Sequence, residues 1–100
     1  MAESKILDGL ILSNEEIASD IFKMTIYAKD AFATATAGRF VNLYTGDASM
    51  LLPRPISICD SEKDTVTLIY RVSGKGTKLF SAFPLGRHIK VSTPLGNGYN

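Results

Sequence analysis

Hydrophobic residues in this chain recur at every second position, not every 3.6. From Ile21 to Ala28, Phe22, Met24, Ile26 and Ala28 share one face, while Ile21, Lys23, Thr25 and Tyr27 take the other. Alternation of that kind, in β-branched and aromatic residues, predicts a strand with one buried face. Thr65 to Ser73 repeats it: Val66, Leu68, Tyr70 and Val72 alternate with Thr67, Ile69 and Arg71. Shorter runs at Phe40–Tyr44 and Arg87–Ser92 also read as strands. Ile6 to Leu12 reads as an earlier one, where Asp8-Gly9 predicts a bulge or bend. Polar links separate the runs: Asn14-Glu15-Glu16, Thr36–Arg39, Thr45–Ser49 and Asp60–Asp64. A single short helix is predicted over Thr77–Phe83, where Leu79, Phe80 and Phe83 fall on one side and Pro84-Leu85-Gly86 ends it. Ala31 to Ala37 is alanine-rich but too short and threonine-broken to read as a second. With the Arg54 segment as a sixth strand, the pattern predicts an all-β antiparallel barrel or sandwich.

One stretch departs from simple alternation. Leu51-Leu52-Pro53-Arg54-Pro55-Ile56-Ser57-Ile58 sets an arginine, a serine and two prolines inside an apolar run. Proline removes a ladder donor and belongs at strand edges, first positions or bulges. An arginine in such a run needs an anion, a carboxylate or a route to water. Two readings follow. The segment is an edge strand whose Arg54 reaches solvent, or it is a ligand wall that offers a guanidinium to phosphate and a hydroxyl to a ring heteroatom.

Composition narrows the classes. At 100 residues, 45% hydrophobic and 21% charged, the chain fits one domain with one modest core. The net charge of +1, with scattered lysines, argues against a nucleic-acid surface. No apolar run approaches the roughly 18 residues of a membrane span, and Met1–Lys5 does not begin a leader. A lone Cys59 forms no internal disulfide, fits a reducing, cytoplasmic setting, and reads as a small hydrophobe. With His88 the only histidine, no two-histidine metal site or hydrolase triad is expected.

Three segments can line one site: Arg54–Ser57, Ile69-Tyr70-Arg71, and Gly74-Lys75-Gly76-Thr77 ahead of the helix. The last is either an ordinary turn with a threonine cap or a backbone cradle in which Gly76 admits a phosphate. It lacks the spacing of a triphosphate-binding loop and of the dinucleotide fingerprint. Taken together, two arginines, a glycine-opened helix and a serine describe a pocket for a diphosphate joined to a polar ring.

At these residues the chain resembles a known family. Gly38–Leu43, Arg54–Ile58, Ile69–Val72, Gly74–Leu79 and Pro94–Tyr99 occur in the order and spacing of electron-transfer subunits of NAD-dependent (class 1B) dihydroorotate dehydrogenases, in the ferredoxin-reductase superfamily. The resemblance implies a six-stranded antiparallel Greek-key barrel that binds FAD, with residues 1–100 as that domain. It assigns cofactor contacts to Arg54, Pro55, Ile56, Ser57, Ile69, Tyr70, Arg71, Gly76 and Thr77, with the diphosphate between Arg54 and Gly76-Thr77 and the reactive ring edge at Ser57. Such subunits pass electrons from NADH through FAD and a two-iron–two-sulfur cluster to the FMN of a catalytic partner in pyrimidine synthesis. Their nicotinamide-binding and cluster-carrying parts are expected to lie outside these residues, so the chain is not expected to turn over alone. Ile56 stands where the wider superfamily usually places an aromatic. Alternative readings are the flavin domain of a related ferredoxin or sulfide NAD(P) reductase, and a flavin-free assembly module that docks on a catalytic partner. In a regular strand Arg54 and Ser57 point to opposite faces, so one ligand touching both implies a bend or bulge at Pro55.

Overall fold

The computed structural model describes residues 5–32, 39–46 and 52–96. The alternating runs become six strands: β1 (Ile6–Ala18), β2 (Ile21–Tyr27), β3 (Phe40–Tyr44), β4 (Arg54–Ser61), β5 (Thr65–Arg71) and β6 (His88–Ser92). A helix, α1 (Lys75–Ser81), lies between β5 and β6. All neighbouring strands are antiparallel and close a barrel in the order β1-β2-β5-β4-β3-β6. In that order two strands separate β2 from β3 and β5 from β6, which is the Greek-key arrangement. Closure removes the exposed edges that an open sheet would carry.

The inward set matches the alternation. Met24, Ile26, Val41, Leu43, Val66, Leu68 and Val91 are fully buried and meet at the barrel axis. Phe80 is fully buried as well, and through it α1 closes the barrel. Burying a phenylalanine is worth about 1.5–3 kcal/mol, which matters for a seven-residue helix that has little stability of its own.

Several local expectations are corrected. The Asn14-Glu15-Glu16 turn is not a turn: β1 runs on to Ala18, and the chain reverses at Ser19-Asp20, where Asp20 takes a positive φ of 60°. Asp8-Gly9 is not a bulge either. Gly9 pairs in register with Ile89, and a Cβ there would lie 2.5 Å from Ile26 Cγ2 and 3.2 Å from Val91 Cγ1. The glycine admits a core side chain rather than bending the strand. The register shifts in this strand fall later, between Ile11 and Ser13 and between Glu16 and Ala18. Helix α1 starts two residues before the predicted Thr77 and ends two before Phe83. Asp60 and Ser61 belong to β4, not to the link after it. Gly38, Leu51, Asp47–Ser49 and Asn97–Tyr99, which carried parts of the sequence reading, lie outside the described residues.

Candidate functional site

The β4–β5 seam of the barrel parts beside α1. The β4–β5 ladder ends at Ile58↔Leu68. Beyond that pair, Arg54–Ser57 continue to pair with β3 alone, and Ile69–Arg71 with β2 alone. A cleft opens between the two strands, and the segment leading into α1 closes its end. One part, about 300 Å³, is lined by Pro55, Ile56, Ser57, Ile69, Tyr70, Arg71, Ser73 and Thr77. The adjoining part, about 480 Å³, is lined by Arg54, Pro55, Ile56, Ser73, Gly74 and Thr77. Both volumes fall in the range of small-molecule pockets.

This parting explains the prolines. Ile58 N donates to Arg39 O at 3.0 Å on the β3 side. Backbone groups alternate along a strand, so Pro55 and Ser57 turn their nitrogens toward the cleft. Pro55 therefore sits where no ladder donor is required, and Ser57 presents its N–H to the cleft. The segment is thus an edge, and that edge lines the cleft.

No bulge occurs at Pro55, contrary to expectation. Register runs without a break from Phe40↔Ser57 to Leu43↔Arg54, and the β4 bulge lies between Ile58 and Asp60. A bend is unnecessary because the strand is approached from its edge, where the distinction between faces lapses. Arg54 lines the larger part and Ser57 the smaller, so a long ligand can meet both.

Gly76 takes a different place from the one the sequence suggested. It is buried, and a Cβ on it would stand 2.7 Å from Arg54 Nε, 3.0 Å from Cγ and 3.4 Å from Cδ. The Arg54 stem thus lies across Gly76, and the missing side chain leaves room for the arginine's course. Gly76 is the one expected site residue that does not line the cleft directly. The Thr77 hydroxyl accepts from Ser73 N at 2.9 Å and Gly74 N at 3.2 Å, and donates to Gly74 O at 3.2 Å. Its first duty is to fold the segment that closes the cleft.

Tyr70 is 5% exposed and stacks on Phe22, with ring centroids 5.8 Å apart and an interplanar angle of 21°. Its hydroxyl donates to Asn14 Oδ1 at 2.9 Å, and burial pushes its pKa up to about 12. It is a wall of the cleft as well as part of the core. Ile56 is also buried, and Ile69 and Arg71 face outward. Sequence reasoning missed Ser73 as a lining residue and left Gly74 out of the contact set; their place directly before Lys75-Gly76-Thr77 was the available signal. Cys59 is exposed, because alternation along β4 sets it on the outward face with Ser57. Among the described residues no group of three or more His, Cys, Asp or Glu side chains could hold a metal ion. No described helix is long and apolar enough to cross a membrane.

The barrel is that of ferredoxin-reductase-like domains. Phthalate dioxygenase reductase matches with a TM-score of 0.78 at 21% identity, over 92% of this chain and 30% of that one. The ferredoxin NADP+ reductase of Neisseria gonorrhoeae, solved with bound FAD and NADP, matches with a TM-score of 0.77 at 20% identity, over 95% of this chain and 40% of that one. Sequence narrows the relation further. The electron transfer subunit of dihydroorotate dehydrogenase B (NAD(+)) from Bacillus pumilus is 43% identical over 93 residues, 90% of this chain and 36% of that protein. The Fusobacterium nucleatum subunit is 40% identical over 99 residues, 96% of this chain and 38% of that protein. Over nearly its whole length the chain is homologous to dihydroorotate dehydrogenase B electron transfer subunits. It spans little more than a third of the length of these curated relatives. No protein-family model matches it.

Proposed function

We propose that this chain is the FAD-binding barrel of an electron-transfer subunit that carries electrons between dihydroorotate dehydrogenase and NAD in pyrimidine synthesis. The observation that carries the reading is the parted β4–β5 seam, which gathers Arg54–Ser57, Ile69–Arg71 and the Ser73–Thr77 segment around one elongated cleft. FAD has the matching length and chemistry: a diphosphate for the Arg54 end and a polar ring for the strand edge at Ser57. When bound, the flavin accepts an electron pair and releases electrons singly. The protein's part is to hold and orient it. Arg54 supplies a charge-assisted contact to the diphosphate, and Gly76 keeps that side chain in course. Ser57 offers a hydroxyl and a backbone N–H to the ring, and Ile69, Ile56 and Tyr70 provide apolar cover.

In this reading residues 1–100 form the flavin domain, working, as the family resemblance implies, in a cytoplasmic assembly with a nicotinamide-binding part, a two-iron–two-sulfur cluster and an FMN-containing catalytic subunit. Those parts lie in segments and chains other than this one, so the barrel by itself does not oxidise NADH or dihydroorotate. Titration of the purified chain with FAD and with FMN tests the cofactor assignment. The expected result is flavin absorbance that stays with the protein and tighter binding of FAD than FMN. A protein that binds neither flavin, yet still associates with the catalytic subunit, would instead be an assembly module.

A further inference from the structure

Asn14, which the sequence placed in a turn, faces the barrel interior, and every hydrogen-bonding group of its amide is engaged. Its Nδ2 donates to Phe80 O at 2.7 Å and to Phe83 O at 3.0 Å. Its Oδ1 accepts from the Tyr70 hydroxyl at 2.9 Å. The β1 bulge makes this possible. Ile11 pairs with Ile26 and faces the core, and in a regular strand Ser13 would share its face. The extra residue Leu12 shifts the phase by one, so Asn14 pairs with Met24 and turns inward.

The three bonds join β1 to the end of α1 and to the centre of β5. Phe80 and Phe83 are at the C-terminal end of α1, whose other end forms the Gly74–Thr77 wall of the cleft. Tyr70 is the buried centre of the opposite strand wall. A carboxamide suits this place, because one short side chain donates to two carbonyls and accepts from a phenol. A seven-residue helix has too few internal bonds to hold its own position.

Resting on the flavin reading above, we propose that Asn14 is a positioning residue: it fixes α1 against β5, and so sets the separation of the two cleft walls that a dinucleotide must span. A ligand that touches only the strand wall is indifferent to that separation, whereas one that reaches both walls is not. Asn14 therefore favours FAD over phosphate-free flavins without touching either.

The test compares Kd for FAD and for riboflavin in the parent chain and in Asn14→Asp. The aspartate keeps the acceptor for Tyr70 but loses both donors and faces two carbonyls with a carboxylate. Losing two hydrogen bonds predicts a rise of about ten- to a hundredfold in the Kd for FAD, with the Kd for riboflavin unchanged. Asn14→Ser, which adds no charge and reaches neither carbonyl together, carries the same test if the aspartate variant does not fold. Amide exchange without ligand gives the second readout: Lys78 and Ala82, bonded within α1, exchange faster in the variant, while Val72, bonded to Asp20, does not. Equal loss of both ligands, no change in FAD binding, or unchanged exchange in α1 would overturn the assignment. A parent chain that binds neither flavin would instead remove the flavin reading, and this role with it.

Discussion

Replacing Gly76 with alanine separates ligand binding from folding. The new Cβ would lie 2.7 Å from Arg54 Nε and 3.0 Å from its Cγ. Carbon and nitrogen atoms pack at about 3.5–4.0 Å, so the arginine stem must shift by roughly 1 Å. Arg54 is exposed and can swing toward water, so folding loses little. An alanine inside a helix is favoured over glycine by about 1 kcal/mol, which offsets the displaced packing. Binding has no such compensation, because the guanidinium no longer follows the course that brings it to the diphosphate. A charge-assisted hydrogen bond is worth about 1.5–3 kcal/mol, so FAD affinity should fall by up to ten- to a hundredfold. Thermal melting and FAD titration measure the two effects in one preparation. Arg54→Ala alone should show the same loss, and the double variant should lose no more than Arg54→Ala by itself, since both act through one side chain. Additive losses would refute the argument, as would parent-like FAD binding by Gly76→Ala. A fall in melting temperature beyond about 5 °C would show that the site matters to folding instead.

Three further outcomes are expected. Ser57→Ala should retain FAD within about tenfold, because a neutral hydroxyl bond contributes about 0.5–1.5 kcal/mol, and should instead move the flavin reduction potential; redox titration that finds the parent potential would contradict the ring contact. Gly9→Ala drives a methyl against Ile26 and Val91 in the core and should cost about 1–3 kcal/mol in urea unfolding, with no change in how the folded fraction binds FAD. Tyr70 gives the barrel a dependence on alkaline pH. An unfolded tyrosine titrates near 10, whereas burial pushes Tyr70 up to about 12. Between those values the unfolded chain has released a proton that the native chain retains, so the stability present below pH 10 is lost as pH rises through 12. The stability difference between the parent and Tyr70→Phe should shrink across that window, and a difference constant with pH would contradict the shift.

The sequence by itself determined the strands and their buried faces. Alternation at Phe22–Ala28 and Val66–Val72 is a local consequence of the pleat, so it needs no knowledge of partners. The cleft-lining residues were legible for a different reason: prolines and an arginine in an apolar run violate strand chemistry, and the family motifs repeat that violation in order. What the sequence could not determine was set by pairing between distant segments. Asp8-Gly9 signals a break locally, yet the strand stays regular because Ile26 and Val91 need the space a side chain would fill. Asn14 has turn chemistry, yet a one-residue bulge at Leu12 and the arrival of Phe80, Phe83 and Tyr70 make it an interior clamp. Gly76 and Arg54 are 22 positions apart, and only barrel closure lays one across the other. The cleft exists because β4 and β5 stop pairing after Ile58 and Leu68. That is a property of the closed sheet as a whole, since each strand keeps its own outer neighbour while the seam between them opens.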